Sequence, residues 1–510
     1  MLGPVRPSGD RRSWWLREAL AAEAAAAPHL AEAAPPLRGT TTADVAIVGG
    51  GYTGLWTALR TAELEPGARV VLIEADICGG GPSGRNGGFA TNWWDEFPTL
   101  LSRYGREGAV AVGEAIETAV DEIGTFCAAN GVDAWYTKAG SLTVSAAPAQ
   151  DGAWDEAVAA VRGHGLGDRL VPLSAAEVAL RIRSPVARGG VIMPGAATVQ
   201  PAVLARGLRR VALERGVTIV EGTEAVEIDG QRPGLLGALG ARARRAPARR
   251  GNGVGLRPVR VRTRSSLGDG EVIAGAVVVA LNAWAAAWPW FGRRLVTWSS
   301  YIVLTEPIPE RLADIGWTGG EGLADARFTL HYLRTTPDGR IAIGGGGGTA
   351  GYSGRIGTTF TDETGDARRA AAGLRHLFPS LADVRIEDAW GGPIDISADH
   401  LPWFGSIGGR PIHYGHGYSG NGVAPAVMGG RILAARAVER ADDPALALPL
   451  AHGRPPRPFP PEPARFVGAR LIREAAVRRE SIEERGRTPS RLLREVSRLP
   501  RRLGYHLGPD

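Results

Sequence analysis

The segment DVAIVGGGYTG, residues 44–54, decides the fold of this chain. Its first five residues form an apolar run that predicts a β-strand, and residues 55–64 have the composition of a helix. A second apolar run follows at residues 69–74, so the three pieces form a β-α-β unit with parallel strands. The sequence therefore predicts a Rossmann-like domain that begins near Asp44.

The turn of this unit carries a GxGxxG pattern, formed by Gly49, Gly51 and Gly54. The first glycine permits a tight turn, the second lets backbone approach a pyrophosphate, and the third lets the helix pack closely on the strand. Glu74 ends the second strand, at the distance where an acidic residue binds ribose hydroxyls. The competing interpretation is a glycine-rich turn with a surface glutamate. We predict a dinucleotide site, which this pattern alone does not assign to NAD or FAD.

Two further glycine-rich elements narrow that choice. Residues 79–88 cannot form a regular helix or strand, and they suit a backbone that runs along an elongated cofactor. Residues 414–423 lead into an apolar helix, whose dipole would stabilise negative charge on a flavin ring during reduction. His416 lies in this element, where contact with the ring and a bond to neighbouring backbone are equally fair interpretations. The candidate cofactor-binding residues of the two elements are Ser83, Arg85, Asn86, Gly87, Gly88, Gly417, Gly420, Asn421, Gly422 and Val423.

Composition excludes several classes of protein. The net charge is +6 over 510 residues, but the arginines gather in residues 231–263 and 465–502 without a fold signature for nucleic-acid binding. Two cysteines are too few for a disulfide framework or a cysteine metal cluster, so we expect no metal site and a cytoplasmic location.

Residues 274–291 form a long apolar segment, but this segment predicts a buried strand and turn, so no membrane span is expected. Arg11 and Arg12 superficially resemble an export signal, yet the acidic residues that follow favour an amphipathic helix.

The glycine-rich elements, taken together, resemble those of the D-amino-acid-oxidase-type FAD-dependent oxidoreductases. The branch that contains γ-glutamylputrescine oxidase is especially similar, because residues 198–201, 278–284 and 332–335 match it as well. The resemblance spans nearly all of residues 44–440 and implies FAD as the cofactor. It also implies that the backbone of Val226 contacts the adenine side.

The family's chemistry would be oxidation of a C–N bond in an amine or amino acid. A hydride equivalent passes to flavin N5, and the imine product then hydrolyses. Tyr332 and Arg334 occupy alternate positions of a predicted strand and point to one face, where both could reach substrate. An arginine can bind a carboxylate, but a structural ion pair is an equally fair interpretation of Arg334. With His416, these are the candidate catalytic residues.

The predicted fold class is α/β (α+β), with a Rossmann-like FAD-binding domain interleaved with an antiparallel-sheet substrate domain. Residues 230–258 read as an exposed insertion in a hairpin, since they are rich in glycine, proline and arginine. The predicted ranges are 40–133, 198–294 and 385–440 for the FAD-binding domain, 134–197 and 295–384 for the substrate domain, and 441–510 for a Pro/Arg-rich C-terminal tail.

Two departures from the family affect the chemistry. The sarcosine-oxidase branch attaches its flavin to a cysteine, but residues 390–395 contain none, so we expect noncovalent FAD. That branch also uses a lysine near the flavin for reaction with oxygen, and Lys138 lies far from that segment, which leaves O₂ or another electron acceptor open. Two alternative functions are an NAD-dependent dehydrogenase and a non-catalytic dinucleotide-binding or assembly protein. The C-terminal tail is a candidate surface for a homo-oligomer.

Overall fold

The computed structural model describes residues 12–234, 257–345, 347–361 and 364–505. Most of the predicted insertion at 230–258 therefore lies outside the described residues. The strands, in chain order, are β1 (Gly39–Val48), β2 (Val70–Ile73), β3 (Phe89–Ala90), β4 (Ser141–Ser145), β5 (Val171–Ser174), β6 (Gly189–Met193), β7 (Ala197–Thr198), β8 (Thr218–Val220), β9 (Thr223–Ile228), β10 (Val259–Ser265), β11 (Gly268–Val279), β12 (Val296–Thr305), β13 (Gly322–Asp325), β14 (His331–Thr335), β15 (Ile341–Gly345), β16 (Ile386–Ile396), β17 (Trp403–Ser406) and β18 (Ile412–His416).

The helices fall mainly between the strands and at the two ends of the chain. In chain order they are α1 (Trp14–Ala26), α2 (Pro28–Ala31), α3 (Tyr52–Leu64), α4 (Phe97–Ala129), α5 (Asp155–Gly163), α6 (Ala175–Ala179), α7 (Pro201–Glu214), α8 (Pro309–Asp314), α9 (Thr364–Leu377), α10 (Pro425–Ala437), α11 (Ala464–Glu483), α12 (Arg491–Ser497) and α13 (Leu499–Arg502). The described helices include none that is both long and apolar enough to cross a membrane.

The first sheet has a parallel centre that holds the predicted β-α-β unit. Strand β1 lies between β2 and β11 and pairs with both in parallel. The sheet continues from β2 to β8 on one side and from β11 to β18 on the other, again in parallel. Such strands are covered on both faces, which explains why β2 and the last four residues of β11 are apolar and buried at every position.

The second sheet carries eight strands in the order β16-β12-β15-β14-β13-β4-β6-β5. Its pairs are antiparallel except β13 with β4, which run in parallel. A separate apolar core fills the space between this sheet and α9, and Val303, Leu333 and Ile343 are its central strand residues. The mixed α/β fold class predicted from the sequence is confirmed.

One predicted domain boundary is wrong. The sequence places the segment from residue 385 in the first domain, but β16 pairs along its whole length with β12 of the second sheet. The chain returns to the first sheet only at β17, which pairs with β18. The sequence of an apolar strand does not indicate which sheet the strand joins, because an apolar strand would be buried in either sheet.

The C-terminal tail packs on its own chain. Helix α11 lies against the second domain, where Glu480 accepts hydrogen bonds from the backbone N–H and the hydroxyl of Thr329. Arg473 of the same helix pairs with the buried Asp366 of α9. The tail therefore contributes to the stability of the second sheet.

Candidate active site

The carboxyl ends of the parallel strands meet at one edge of the first sheet. Gly49 follows β1, Glu74 follows β2, Ala280 follows β11 and Gly417 follows β18. In open α/β sheets, ligands bind outside this edge. The first and third glycine-rich elements, far apart in sequence, are thus brought together where a dinucleotide would bind.

The first glycine turn has the geometry that the sequence pattern predicts. Gly49 adopts φ +114°, a backbone conformation that other residues rarely take. A Cβ on Gly54 would overlap the Gly49 carbonyl oxygen, so α3 approaches β1 this closely only with glycine at that position. Gly51 caps the N-terminus of α3, and the N–H of Tyr52 in its first turn donates to the Ser83 hydroxyl at 2.8 Å.

Glu74 turns its carboxylate back onto the same turn. One oxygen accepts the N–H of Gly50 at 2.7 Å and the other accepts the N–H of Asp76 at 2.9 Å. Burial raises the pKa of Glu74 to about 7, although the two backbone donors oppose the shift. The carboxylate is therefore held at the end of β2, where the sequence placed a ribose ligand.

The second glycine-rich element uses its polar side chains to hold its own backbone. Arg85 donates to the carbonyls of Gly80 at 2.9 Å and of Gly391 at 3.1 Å. Asn86 donates to the carbonyls of Pro82 and Ser83 and accepts the N–H of Gly88 at 2.7 Å. These two side chains thus fix the shape of the loop.

The third element turns sharply between β18 and α10. Gly417, Ser419 and Gly420 all have positive φ, and Gly420 and Asn421 are exposed. The backbone N–H groups of Gly422 and Val423, just before α10, donate to no backbone acceptor within the described ranges. An exposed turn of this kind, with free amides ahead of a helix, suits an electron-rich ring edge.

A buried carboxylate that the sequence did not single out holds this turn. Asp395, at the end of β16, is fully buried and accepts the N–H of Gly417 at 2.6 Å. Its other oxygen accepts the Asn282 amide at 2.9 Å. Burial raises the pKa of Asp395 to about 7. The only sequence signal was an acidic residue inside an apolar strand, which is rare unless its partners are fixed.

His416 packs in the core of the first domain. Its ring is 4.5 Å from that of Phe291 between centroids and stacks on Tyr414 at 6.0 Å. Neither ring nitrogen has a hydrogen-bond partner among the described residues, so the structure shows no backbone bond of the kind considered from the sequence. Burial lowers the pKa of His416 to about 3, so the imidazole is neutral near pH 7.

Tyr332 reaches from β14 to the second glycine-rich element. A Cβ on Gly87 would lie 2.8 Å from the Tyr332 ring, so the ring rests directly on that glycine. The phenol oxygen shares a hydrogen bond of 2.9 Å with the hydroxyl of Ser300, and Phe89 meets the ring edge to face at 5.7 Å. Burial raises the pKa of Tyr332, which keeps the phenol protonated.

Arg334 follows on the same face of β14 but bonds to backbone. Its guanidinium donates to the carbonyls of Val199 and Thr335, and it lies over the ring of Trp15 at 5.7 Å. No carboxylate pairs with Arg334 in the part of the chain that the structure describes, and burial lowers its pKa to about 10. The described residues therefore offer no carboxylate for the structural ion pair considered for Arg334.

Val226 lies at an irregularity of β9. The pairing of β9 with β10 skips it, since Ala225 faces Thr263 and Glu227 faces Arg262. Three residues earlier, the N–H of Thr223 donates to the carbonyl of Glu74 at 2.8 Å. Val226 therefore has no partner residue in β10, and it lies in a strand whose first residue is bonded to Glu74.

Known proteins share the sequence pattern and the fold of this chain. A family model described as FAD dependent oxidoreductase matches residues 44–436. A probable oxidoreductase OrdL of Rhizobium meliloti is 29% identical over 417 residues, which cover 80% of this chain and 86% of that protein. Gamma-glutamylputrescine oxidoreductase of Escherichia coli is 28% identical over 401 residues, with 78% and 84% covered. The crystal structure of glycine oxidase from Geobacillus kaustophilus shares the fold, with a TM-score of 0.58, 20% identity, and 79% and 96% of the two chains covered.

Proposed function

The chain belongs to the FAD-dependent oxidoreductase family, and on that basis we propose that it oxidises the C–N bond of an amine or amino acid. Family membership confirms the prediction of an FAD-dependent oxidoreductase. It also decides against the NAD-dependent dehydrogenase and the non-catalytic assembly protein. When bound, FAD would supply the two-electron chemistry as the acceptor of a hydride equivalent, and the protein would supply binding and orientation.

The residues at the sheet edge fit this cofactor. The turn at Gly49–Gly54 and the N-terminus of α3 would hold the pyrophosphate, and Glu74 would bind the ribose. Val226 would meet the adenine through its unpaired backbone. The turn from Gly417 to Val423 would face the pyrimidine end of the flavin with its free amides. We propose noncovalent binding, because Cys78 lies beside Gly50 and Glu74 at the adenosine end, and Cys127 is buried in α4.

The observation that supports the proposed substrate position is the placement of Tyr332. The phenol ring of Tyr332 covers Gly87, which lies in the loop expected to run along the flavin. A substrate bound between the second sheet and the flavin would therefore contact this phenol. Two relatives are named for nitrogen compounds, gamma-glutamylputrescine and glycine. We propose that Tyr332 orients the substrate and that Arg334 supports the loop from behind, through Val199.

The reaction as proposed needs no side-chain base. The amine must be neutral before its C–H bond can deliver hydride, and the product is an imine that water converts to a carbonyl compound and the released amine. His416 is too weak a base at a pKa of about 3, and its ring packs against Phe291 in the core of the first domain. The amine therefore loses its proton to solvent, so kcat/KM should rise with pH until it passes the pKa of the substrate.

The test is a titration of the holoprotein without oxygen. The purified protein should be yellow, and a panel of amines, amino acids and polyamine conjugates should bleach the flavin absorbance when one of them is a substrate. FAD bound but bleached by no member of the panel would refute the amine substrate, whereas no bound FAD after refolding with the cofactor would contradict the family assignment itself. Repeating the reaction in air with a peroxide assay tests O₂ against other acceptors.

Three further proposals concern the protein's surroundings. We propose a cytoplasmic location, supported by two cysteines that are both free and buried. O₂ or another small electron acceptor would reoxidise the flavin. The tail exposes Val467, Leu471 and Leu492, which supports a homo-oligomer through this surface. Light scattering of the purified protein, compared with a Leu471→Glu variant, tests the oligomer.

A further inference from the structure

The segment before β1 contacts the middle of the second glycine-rich element directly and is linked to its start through Glu221. We name residues 13–34 the strap and residues 78–88 the flavin loop. The family match begins only at residue 44, so the strap lies outside it. We propose that the strap holds the flavin loop in the conformation that binds FAD, which makes Ser13 a positioning residue for the cofactor. The proposal rests on the FAD binding that the proposed function also requires.

Ser13 joins the strap to the middle of the flavin loop. The side chain is fully buried, and its hydroxyl donates to the carbonyl of Gly84. The same oxygen accepts the N–H of Leu16 at 3.1 Å and so caps the N-terminus of α1. One hydroxyl thus serves the first turn of α1 and the backbone of the flavin loop at once, so formation of this helix end and the position of Gly84 are coupled.

Glu221 joins the other end of the strap to the start of the flavin loop. This glutamate follows β8 and is buried beside Arg209, which pairs with it at 2.9 Å. One carboxylate oxygen accepts the N–H of Ala34 in the strap, and the other accepts the N–H of Cys78 at 2.6 Å. The paired guanidinium keeps the pKa of Glu221 below its usual value despite burial, so the carboxylate is charged. The two backbone segments therefore share one buried charge.

The middle of the strap is packed against residues that support the rest of the flavin loop. Trp15 is fully buried and meets Trp390 edge to face at 5.7 Å, and the indole N–H of Trp390 donates to the carbonyl of Arg85 at 2.9 Å. The carbonyl of Trp15 accepts the amide of Gln200 at 2.8 Å. The neighbouring Val199 donates its N–H to the carbonyl of Gly88 at 2.8 Å.

These contacts make strap docking and cofactor binding mutually dependent. If the docked strap favours the FAD-binding form of the loop, bound FAD must favour the docked strap by the same factor. Removing the Ser13 hydroxyl should weaken FAD binding in the folded apoprotein. In return, FAD should slow the opening of α1.

The experiment measures both directions of this coupling. FAD is titrated into the apoprotein of wild type, Ser13→Ala and Ser490→Ala, and Kd is read from flavin fluorescence. Ser490 is a matched control because it also caps a helix, α12, but lies in the C-terminal tail. We expect Ser13→Ala to raise Kd about tenfold, which corresponds to about 1.4 kcal/mol, and Ser490→Ala to leave it within about twofold.

Hydrogen exchange gives the second readout on the unmodified protein. FAD should slow exchange of the amides of α1 and leave those of α12 unchanged. Equal Kd values for wild type and Ser13→Ala, or exchange in α1 that FAD does not alter, would overturn the proposal while FAD binding stands. Should Ser13→Ala fail to fold, the exchange result on wild type decides. Absence of any FAD binding to wild type would overturn the proposed function and the strap with it.

Discussion

The free energy of unfolding of the wild-type apoprotein should fall as pH rises, and replacing Asp395 by asparagine should abolish this part of the pH dependence. Burial raises the pKa of this carboxyl from 3.8 to about 7 in the folded protein. Between these values the folded state keeps a proton that the unfolded state has released. The stabilising contribution is therefore fully present below the unfolded pKa and is lost as pH rises through 7.

The magnitude follows from the size of the shift. A change from 3.8 to about 7 corresponds to about 4 kcal/mol at 1.36 kcal/mol per unit. About 2–3 kcal/mol of this falls between pH 5 and pH 8, because the unfolded carboxyl is already largely ionised at pH 5. Asparagine has no such titration. It also turns an N–H₂ group toward the Asn282 amide, which lowers the free energy of unfolding by about 1–3 kcal/mol at every pH.

The assay is denaturant unfolding of wild-type and Asp395→Asn apoprotein at pH 5 and pH 8. The free energy of unfolding of wild type should fall between the two pH values by about 2–3 kcal/mol more than that of the variant. Asp443→Asn serves as a control, because Asp443 is only half-buried and also accepts a backbone N–H. Equal pH dependence in wild type and Asp395→Asn would refute the reasoning. It would mean that Gly417 and Asn282 stabilise the ionised carboxylate enough to cancel the effect of burial.

Three further substitutions test the cofactor and substrate assignments. Gly54→Ala places a methyl group against the Gly49 carbonyl oxygen. The variant should either bind no flavin or have a free energy of unfolding about 1–3 kcal/mol lower, as measured by the flavin-to-protein ratio and by denaturant unfolding. Normal flavin content and normal stability would contradict the close packing of α3. Glu74→Gln should raise the Kd for FAD about tenfold, because the ribose loses a charged acceptor, and an unchanged Kd in fluorescence titration would argue against ribose binding. Tyr332→Phe removes only the hydroxyl bonded to Ser300 and should lower kcat/KM about tenfold without changing the Kd for FAD; unaltered steady-state kinetics would remove Tyr332 from the substrate site.

The sequence was most informative where function depends on local geometry. The strand, glycine turn, helix and Glu74 lie within one short segment, so their spacing alone predicted the turn that the structure contains. Tyr332 and Arg334 were correctly placed on one strand for the same reason. Their different environments were not predictable, because Gly87 and Val199 come from other parts of the chain.

The residues that support the site escaped sequence reasoning because their partners are distant. Asp395 matters only because β16 joins the second sheet and ends beside the turn after β18. Ser13 and Trp15 read as the start of an amphipathic helix, and nothing local indicates that Gly84 and Trp390 cover them. Patterns along a chain report burial and periodicity, whereas the identity of the covering residue depends on the whole fold.

The strap also has a consequence for the order in which the protein can be assembled. Arg17 of α1 pairs with Asp388, which lies 371 positions later. At ribosomal rates this separation means a delay on the order of tens of seconds, during which Trp15 and Leu16 have no complete partner. Strand β1 likewise cannot pair with β11 until that later strand has been synthesised. Helix α1 is synthesised long before residues that cover it, so the nascent chain exposes an apolar helix face during this interval and should depend on chaperones that cover such surfaces.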